Sequence, residues 1–291
     1  MQSDVEQFEL VAPPSLDGVL AQLAAEPGRH TPIAGGTELM VALAAGRLQQ
    51  RSLVSIHHLR ELRFIRVDDE AIQIGSGTTF TDIRRSEAIA THLPLMAQSA
   101  SWTGSVANQN RGTLGGNICN ASPAADTPPA LLVYGASVTL VSSSGTRTLP
   151  YSEFHLGYKR TALKPDELLH TIIVPTRFNG YRQYIRKVGT RNAQAISKVA
   201  LACLAKVEGN RIADIRIGAA SLADRPVRCT AAEAALKGLP VDSAGLEAAV
   251  RAGRAALAAE AKPIDDIRST ARYRGVVAAN LLEEFLRSLA G

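Results

Sequence analysis

The sequence predicts an α+β protein of more than one domain. At 291 residues the chain exceeds the ~250 residues at which single hydrophobic cores usually stop growing. Its texture changes twice, from a small βαβ-like stretch, to short alternating runs mixed with helical patterns, to a strand meander followed by helices. Hydrophobic residues at 46% and charged residues at 20% are ordinary for a folded, soluble chain and leave no long disordered tract.

The elements follow in order. Behind Ser15, a capping residue, Leu16, Val19, Leu20 and Leu23 recur at helical spacing and predict a short helix over 15–25. Thr31–Ala34 reads as a buried strand ending in Gly35-Gly36-Thr37. Glu38–Ala45 is then a helix and Leu53–Ile56 a returning strand. From Arg63 the runs Phe64–Val67, Ala71–Ile74, Ser137–Val141 and Thr146–Leu149 predict strands, with helices at Phe80–Ala90 and Pro94–Ala100. Beyond Pro175, Tyr181–Val188, Ala195–Val207 and Arg211–Ala219 predict an antiparallel meander. Ala231–Leu236, Ala244–Ala259 and Arg272–Leu289 predict helices. The Pro175–Gly180 stretch is the expected main boundary, giving a domain over 1–176, divided at 58/59, and a second over 177–291.

Several function classes are disfavoured. A net charge of +5 and a pI near 9.3 could suit nucleic acid, but the basic residues are scattered and aromatics are only 4%. Apolar runs such as Leu168–Pro175 and Val199–Lys206 fall far short of the ~20 residues of a membrane span. The start, Met1 to Leu10, lacks the basic and apolar regions of a secretory signal, so a cytoplasmic location is expected. Cys119, Cys203 and Cys229 form no CxxC pair and hold no iron–sulfur cluster by themselves. His30, His57, His58, His92, His155 and His170 lack metal-ligand spacing, so no metal site is expected. No GxSxG elbow supports a nucleophilic hydrolase.

Two glycine segments carry the chemistry. Ile33-Ala34-Gly35-Gly36-Thr37-Glu38-Leu39 has the form of a strand, a glycine turn and a helix start, where main-chain amides can meet an anion without Cβ interference. It is neither GxGxxG nor a P-loop, and by itself it is also a common tight turn. The second segment runs from Asn110 to Asp126. It offers the expected amides of Gly115 and Gly116, polar side chains at Thr113, Asn117 and Ser122, and the Asp126 carboxylate as an acceptor for ribose or adenine hydrogens. So many small polar groups in an apolar context are costly to bury without a ligand, although an Asx-rich structural loop is the alternative.

At these residues the chain resembles the FAD-binding subunit or domain of the xanthine dehydrogenase, aldehyde oxidase and aerobic carbon monoxide dehydrogenase family. The Ala34–Leu39 segment, the Thr113–Ile118 segment with its Ala121-Ser122-Pro123 and Asp126, and the Arg186–Arg191 segment with Ala195-Ile196-Ser197 fall in the family's order, and the resemblance spans nearly the whole chain. It implies a two-subdomain FAD-binding domain of the vanillyl-alcohol-oxidase-like type, followed by a smaller α+β domain. It implies non-covalent FAD, with Ile33 to Leu39 and Thr113 to Asn117 holding the diphosphate and Asp126 on the ribose and adenine side. Lys187 would lie near the isoalloxazine, where a cation favours the reduced flavin, and Ile196 beside the ring. Trp102 and Thr103 are expected near the flavin, and Pro32, Ser122, Leu169 and His170 complete the expected cofactor-binding set. The partners it implies are an iron–sulfur subunit with 2Fe-2S clusters and a molybdopterin-binding subunit with the molybdenum cofactor. A soluble acceptor, NAD, a quinone or oxygen, would take the electrons.

The chain departs from the family where many relatives have Ile-Arg-Asn before the second glycine segment and this one has Val106–Arg111. It also lacks the cysteine-rich cluster loop of the reductive acyl-CoA relatives. A self-contained FAD oxidase of the vanillyl-alcohol type and a scaffold that has lost FAD are the rival readings. The first needs a larger substrate cap than the C-terminal residues supply, and the intact Gly35, Gly36, Gly115, Gly116 and Asp126 argue against the second.

Overall fold

The structure, a computed structural model, describes residues 7–191 and 194–290. The signal-peptide reading of the first six positions therefore lies outside the described residues. The N-terminal unit comprises β1 (Glu9–Val11), α1 (Leu16–Ala25), β2 (His30–Ile33), α2 (Leu39–Ala44) and β3 (Ser52–Ser55). Its three strands are parallel in the order β1-β3-β2. Ser15 caps α1 by accepting from the Gly18 amide, and Val19, Leu20 and Leu23 are buried as their spacing predicts. They pack against Val54, Ile56, Leu59 and Leu62.

The second unit begins with β4 (Ile65–Val67) and β5 (Ala71–Gly75) and continues through six short helices: α3 (Phe80–Arg85), α4 (Glu87–His92), α5 (Pro94–Ser101), α6 (Val106–Arg111), α7 (Leu114–Cys119) and α8 (Pro128–Tyr134). The strands β6 (Ser137–Ser142), β7 (Gly145–Pro150), β8 (His155–Gly157), β9 (Arg160–Thr161) and β10 (Leu168–Pro175) complete it. The main sheet is antiparallel in the order β4-β5-β10-β6-β7, while β8 and β9 form a hairpin. The helix expected over Phe80–Ala90 is two helices. Ser86 is extended at φ −77° and ψ 115° and caps α4 by accepting from the Ile89 amide, so it ends one helix and starts the next.

The third unit has β11 (Arg182–Val188), β12 (Val199–Glu208), β13 (Arg211–Ala220) and β14 (Val227–Arg228), followed by α9 (Thr230–Leu236), α10 (Leu246–Glu260) and α11 (Ala271–Ser288). The sheet is an antiparallel meander. The strand expected from Ala195 begins only at Val199. Residues 199–205 are all buried because β12 is covered on both faces. Ala202 and Leu204 point into the core of the second unit, whereas Val199, Leu201, Cys203 and Ala205 face the C-terminal helices, as strand alternation requires. Helix α8 lies so close to β13 that a Cβ on Gly218 would sit 2.5 Å from the Pro129 carbonyl oxygen. The two units thus share buried packing, and truncating a residue such as Leu204 to alanine is expected to cost about 2–5 kcal/mol.

Candidate functional site

The first glycine segment leaves β2 and turns into α2. Gly36 adopts φ +74°, a left-handed conformation that a Cβ disfavours. Among the described residues, the amides of Gly35, Gly36, Thr37 and Glu38 donate to no backbone or side-chain acceptor of the protein. Four consecutive free donors are a place for an anion or a diphosphate. Helix α2, which follows, is apolar throughout and buries none of its residues, with Met40 52% and Val41 58% exposed.

The second segment behaves otherwise. Thr113 caps α7, its hydroxyl oxygen accepting from the Gly116 amide at 3.0 Å. The Leu114 amide donates to the Thr78 carbonyl and the Gly115 amide to the Ser76 carbonyl, each at 2.9 Å. The expected free amides at Gly115 and Gly116 are therefore already paired. The polar sequence folds into a capped helix packed on the 76–79 turn, and what it offers a ligand is the Thr113 hydroxyl hydrogen and bare surface at Gly116. A Cβ there would meet only Thr113 Oγ1, at 3.0 Å.

The two segments touch. A Cβ on Gly35 would lie 1.8 Å from the Arg111 carbonyl oxygen, and Arg111 Nε donates to the Gly35 carbonyl at 3.2 Å. From α7 a polar strip continues toward the third unit. The Thr127 hydroxyl donates to Asn117 Oδ1 at 2.7 Å. Next to Thr127, Asp126 accepts from Lys187 Nζ at 2.6 Å and from the Ser197 hydroxyl at 2.6 Å. Lys187 also donates to the Trp102 carbonyl at 3.3 Å. Both charged side chains are buried, at 4% and 9% exposed. Burial pushes the Asp126 carboxyl up, and Lys187 and Ser197 pull against it.

The pair joins two residues that the sequence reading assigned to different parts of the cofactor, Asp126 to the ribose and adenine side and Lys187 to the isoalloxazine: their side chains are in direct contact. Local patterns could not reveal a contact between residues 61 positions apart. Ser197, the third member, lies beside Ile196, which is 53% exposed. Thr103 adjoins Trp102 and its hydroxyl donates to the Ser99 carbonyl at 2.8 Å.

Other expected residues are used by the fold. Leu114 is 0% and Leu169 2% exposed, both within the core, so neither side chain has surface to offer a ligand. The His170 ring lies tilted beside Phe64 at 5.9 Å between centroids and bonds the Thr171 hydroxyl at 2.6 Å, while its carbonyl accepts from the Ser76 amide. Burial, with help from Arg66, lowers its pKa. Pro32 and Ile33 lie on β2, paired with Val54 and Ser55. The Ser122 hydroxyl accepts from the Ala124 amide at 3.3 Å. Burial pushes the Cys119 thiol up to about 12, which suits the filler role expected of it.

The sequence reading missed Ser76 and Lys159, and it expected Trp102 near the flavin without foreseeing the state of its Nε1. Ser76 Oγ and Trp102 Nε1 are buried without a partner, the condition found where a ligand or water supplies one. Lys159 Nζ donates to the Asn120 carbonyl at 2.9 Å and to Asn120 Oδ1 at 2.7 Å. It also lies 4.0 Å from Glu38. Burial lowers its pKa, against the pull of Glu38. The one signal for it in the sequence is a lysine directly after Gly157-Tyr158.

These features, four free amides, an exposed glycine on a capped helix and buried polar atoms without a partner, fit a dinucleotide cofactor. Comparison with known proteins names it. Residues 6–177 match the family model described as the FAD binding domain in molybdopterin dehydrogenase. The chain belongs to that family. Residues 184–289 match the CO dehydrogenase flavoprotein C-terminal domain. The carbon monoxide dehydrogenase medium chain of Hydrogenophaga pseudoflava is 29% identical over 286 residues, covering 97% of this chain and 96% of that one. The xanthine dehydrogenase FAD-binding subunit of Escherichia coli O157:H7 is 32% identical over 220 residues, 74% of this chain and 75% of its own. A solved structure of the Hydrogenophaga pseudoflava carbon monoxide dehydrogenase lacking the Mo-pyranopterin moiety superposes with a TM-score of 0.91 at 28% identity, covering 98% of this chain and 99% of that chain. The α+β family fold, an FAD-binding domain followed by a C-terminal domain, is thus the fold of this chain. No helix among the described residues is long and apolar enough to cross a membrane.

Proposed function

We propose that this chain is the FAD-carrying electron-transfer subunit of a molybdenum hydroxylase. In this reading it receives electrons from 2Fe-2S clusters on an iron–sulfur partner, which takes them from a molybdopterin-binding partner, and passes them to NAD, a quinone or oxygen. The observation that carries the reading is the run of unpaired amides at Gly35 to Glu38, in a segment packed against Arg111 and Gly112, together with the exposed Gly116. Bound FAD supplies one- and two-electron chemistry; the chain's residues bind and orient it. Ile33 to Leu39 and Thr113 to Asn117 cradle the diphosphate. Asp126, Lys187 and Ser197 act as one buried unit which, with Trp102, Thr103 and Ile196, lies toward the ring. The domains proposed for this work are 1–58 and 59–176 for FAD and 177–291 for the C-terminal part.

The names of the relatives as medium chains and FAD-binding subunits support a multi-subunit setting. Within the chain, the unburied apolar helix α2 beside the first glycine segment is the surface we assign to a partner chain. The chain alone is expected to turn over no substrate. Purified protein is expected to carry about one FAD per chain, and acid denaturation should release the flavin into the supernatant, since no attachment residue is evident. Colourless protein that takes up no FAD would overturn the reading, and a pellet that stays yellow would overturn non-covalent binding.

A further inference from the structure

Within the two glycine segments, 33–39 and 113–117, the only ionisable side chain is Glu38, a negative charge where an anionic diphosphate is to be held. Amides alone must then bind the anion against a carboxylate, which like-charge repulsion disfavours. Arg111 also lies between the segments, its Nε donating to the Gly35 carbonyl, which leaves its charge and its other N–H donors in place. Lys159 is placed differently. It occupies the turn between β8 and β9 at φ +54°, a backbone state costly for a side chain of this kind and retained where the surroundings enforce it. Its ammonium is held by Asn120, the residue that ends α7. Asn120 is four residues beyond Gly116, ~6 Å along the helix axis. On its other side the Lys159 ammonium lies 4.0 Å from Glu38, two residues beyond Gly36, and the Lys159 side chain remains 39% exposed. The lysine thus spans the far ends of both segments, with its charge accessible.

We propose that Lys159 is the cation of the cofactor site: clasped between Glu38 and Asn120, it offsets the Glu38 charge and holds the FAD diphosphate between the two glycine segments. The proposal rests on the FAD reading given above. A lysine that only caps α7 through the Asn120 carbonyl is the competing account, and it predicts no preference for a diphosphate-bearing ligand.

The test is equilibrium binding of FAD and of riboflavin, which lacks the diphosphate, to the full chain stripped of flavin, for wild type, Lys159→Met and Lys159→Arg. A charge-assisted contact is expected to make Lys159→Met weaken FAD by roughly tenfold or more. Riboflavin binding should be unchanged, Lys159→Arg should recover most of the loss, and the FAD affinity of Lys159→Met should fall less with added salt. Equal weakening of FAD and riboflavin, or unchanged FAD affinity, would overturn the proposal and leave Lys159 as a helix cap. The wild type and Gly116→Val, measured in the same series, separate the two failures. If wild type binds no FAD, or Gly116→Val binds it normally, the site reading falls. If both behave as expected and only Lys159→Met departs, the lysine alone is misassigned.

Discussion

Gly35 and Gly115 open their respective Gly-Gly pairs, and both are pressed against neighbouring backbone. A Cβ on Gly35 would lie 1.8 Å from the Arg111 carbonyl oxygen, and one on Gly115 would lie 2.5 Å from Ser76 Cβ and 2.7 Å from its carbonyl oxygen. The second members differ from the first and from each other. Gly36 is needed for its φ of +74° within the run of free amides, whereas Gly116 lies exposed on a capped helix. In each pair, then, one glycine lets the chain pack and the other meets the site. The first segment brings donors, and the second brings bare surface leading to the buried Asp126–Lys187 pair.

The largest expected effect is at the end of that strip, which the first segment has no counterpart for. Lys187→Met leaves Asp126 buried without its cation and should destabilise the fold by about 3–5 kcal/mol near neutral pH. The folded Asp126 carboxyl is raised by burial. Its contribution is therefore fully present below the unfolded value of about 4 and is lost as pH rises through the folded value. Removing Lys187 raises that folded value further. The difference in denaturation midpoint between mutant and wild type should shrink in acid and grow toward neutrality. A pH-independent difference would remove the ion pair from the account.

Next come the packing glycines. Gly35→Ala and Gly115→Ala should each destabilise by about 1–3 kcal/mol or more, Gly35→Ala the more severely because its nearest backbone neighbour is closer, 1.8 Å against 2.7 Å from the new Cβ. Urea midpoints for both at wild-type values would show that the close approaches do not exist.

The glycine pairs also mark how far the sequence could be read. Strand and helix periodicity located most elements, because Ser15, Leu16, Val19 and Leu20 act within one turn and the third-unit strands pair with their sequence neighbours. The segment 106–134 was legible as polar and glycine-rich but not as three helices, since Ser105 and Thr113 act as caps and Pro128 and Pro129 start α8. Nor did local pattern place Leu168–Pro175 in the centre of the sheet between β5 and β6, a position set by topology. At the site, residue types pointed to both loops. Which amides are free, and that Asp126 meets Lys187, depend on contacts between distant segments.

A smaller effect on stability is expected at α2, beside the first segment. Met40→Glu combined with Val41→Glu alters exposed positions and should shift stability by only about 0.5 kcal/mol while reducing recovery of the chain with its co-expressed partner subunits. Assembly at wild-type yield would remove α2 from the partner surface.

Gly116→Val should change the fold little, because the position is exposed and the new Cβ meets Thr113 Oγ1 alone, at 3.0 Å, a tight contact that the hydroxyl relieves by shifting a few tenths of an ångström, yet it fills the surface assigned to the diphosphate. Flavin content per chain measured alongside the thermal unfolding midpoint tests the account most directly. FAD occupancy should fall to near zero with the midpoint of flavin-free protein unchanged from that of flavin-free wild type. A folded Gly116→Val protein with full FAD occupancy would contradict the placement of the cofactor between the two glycine segments.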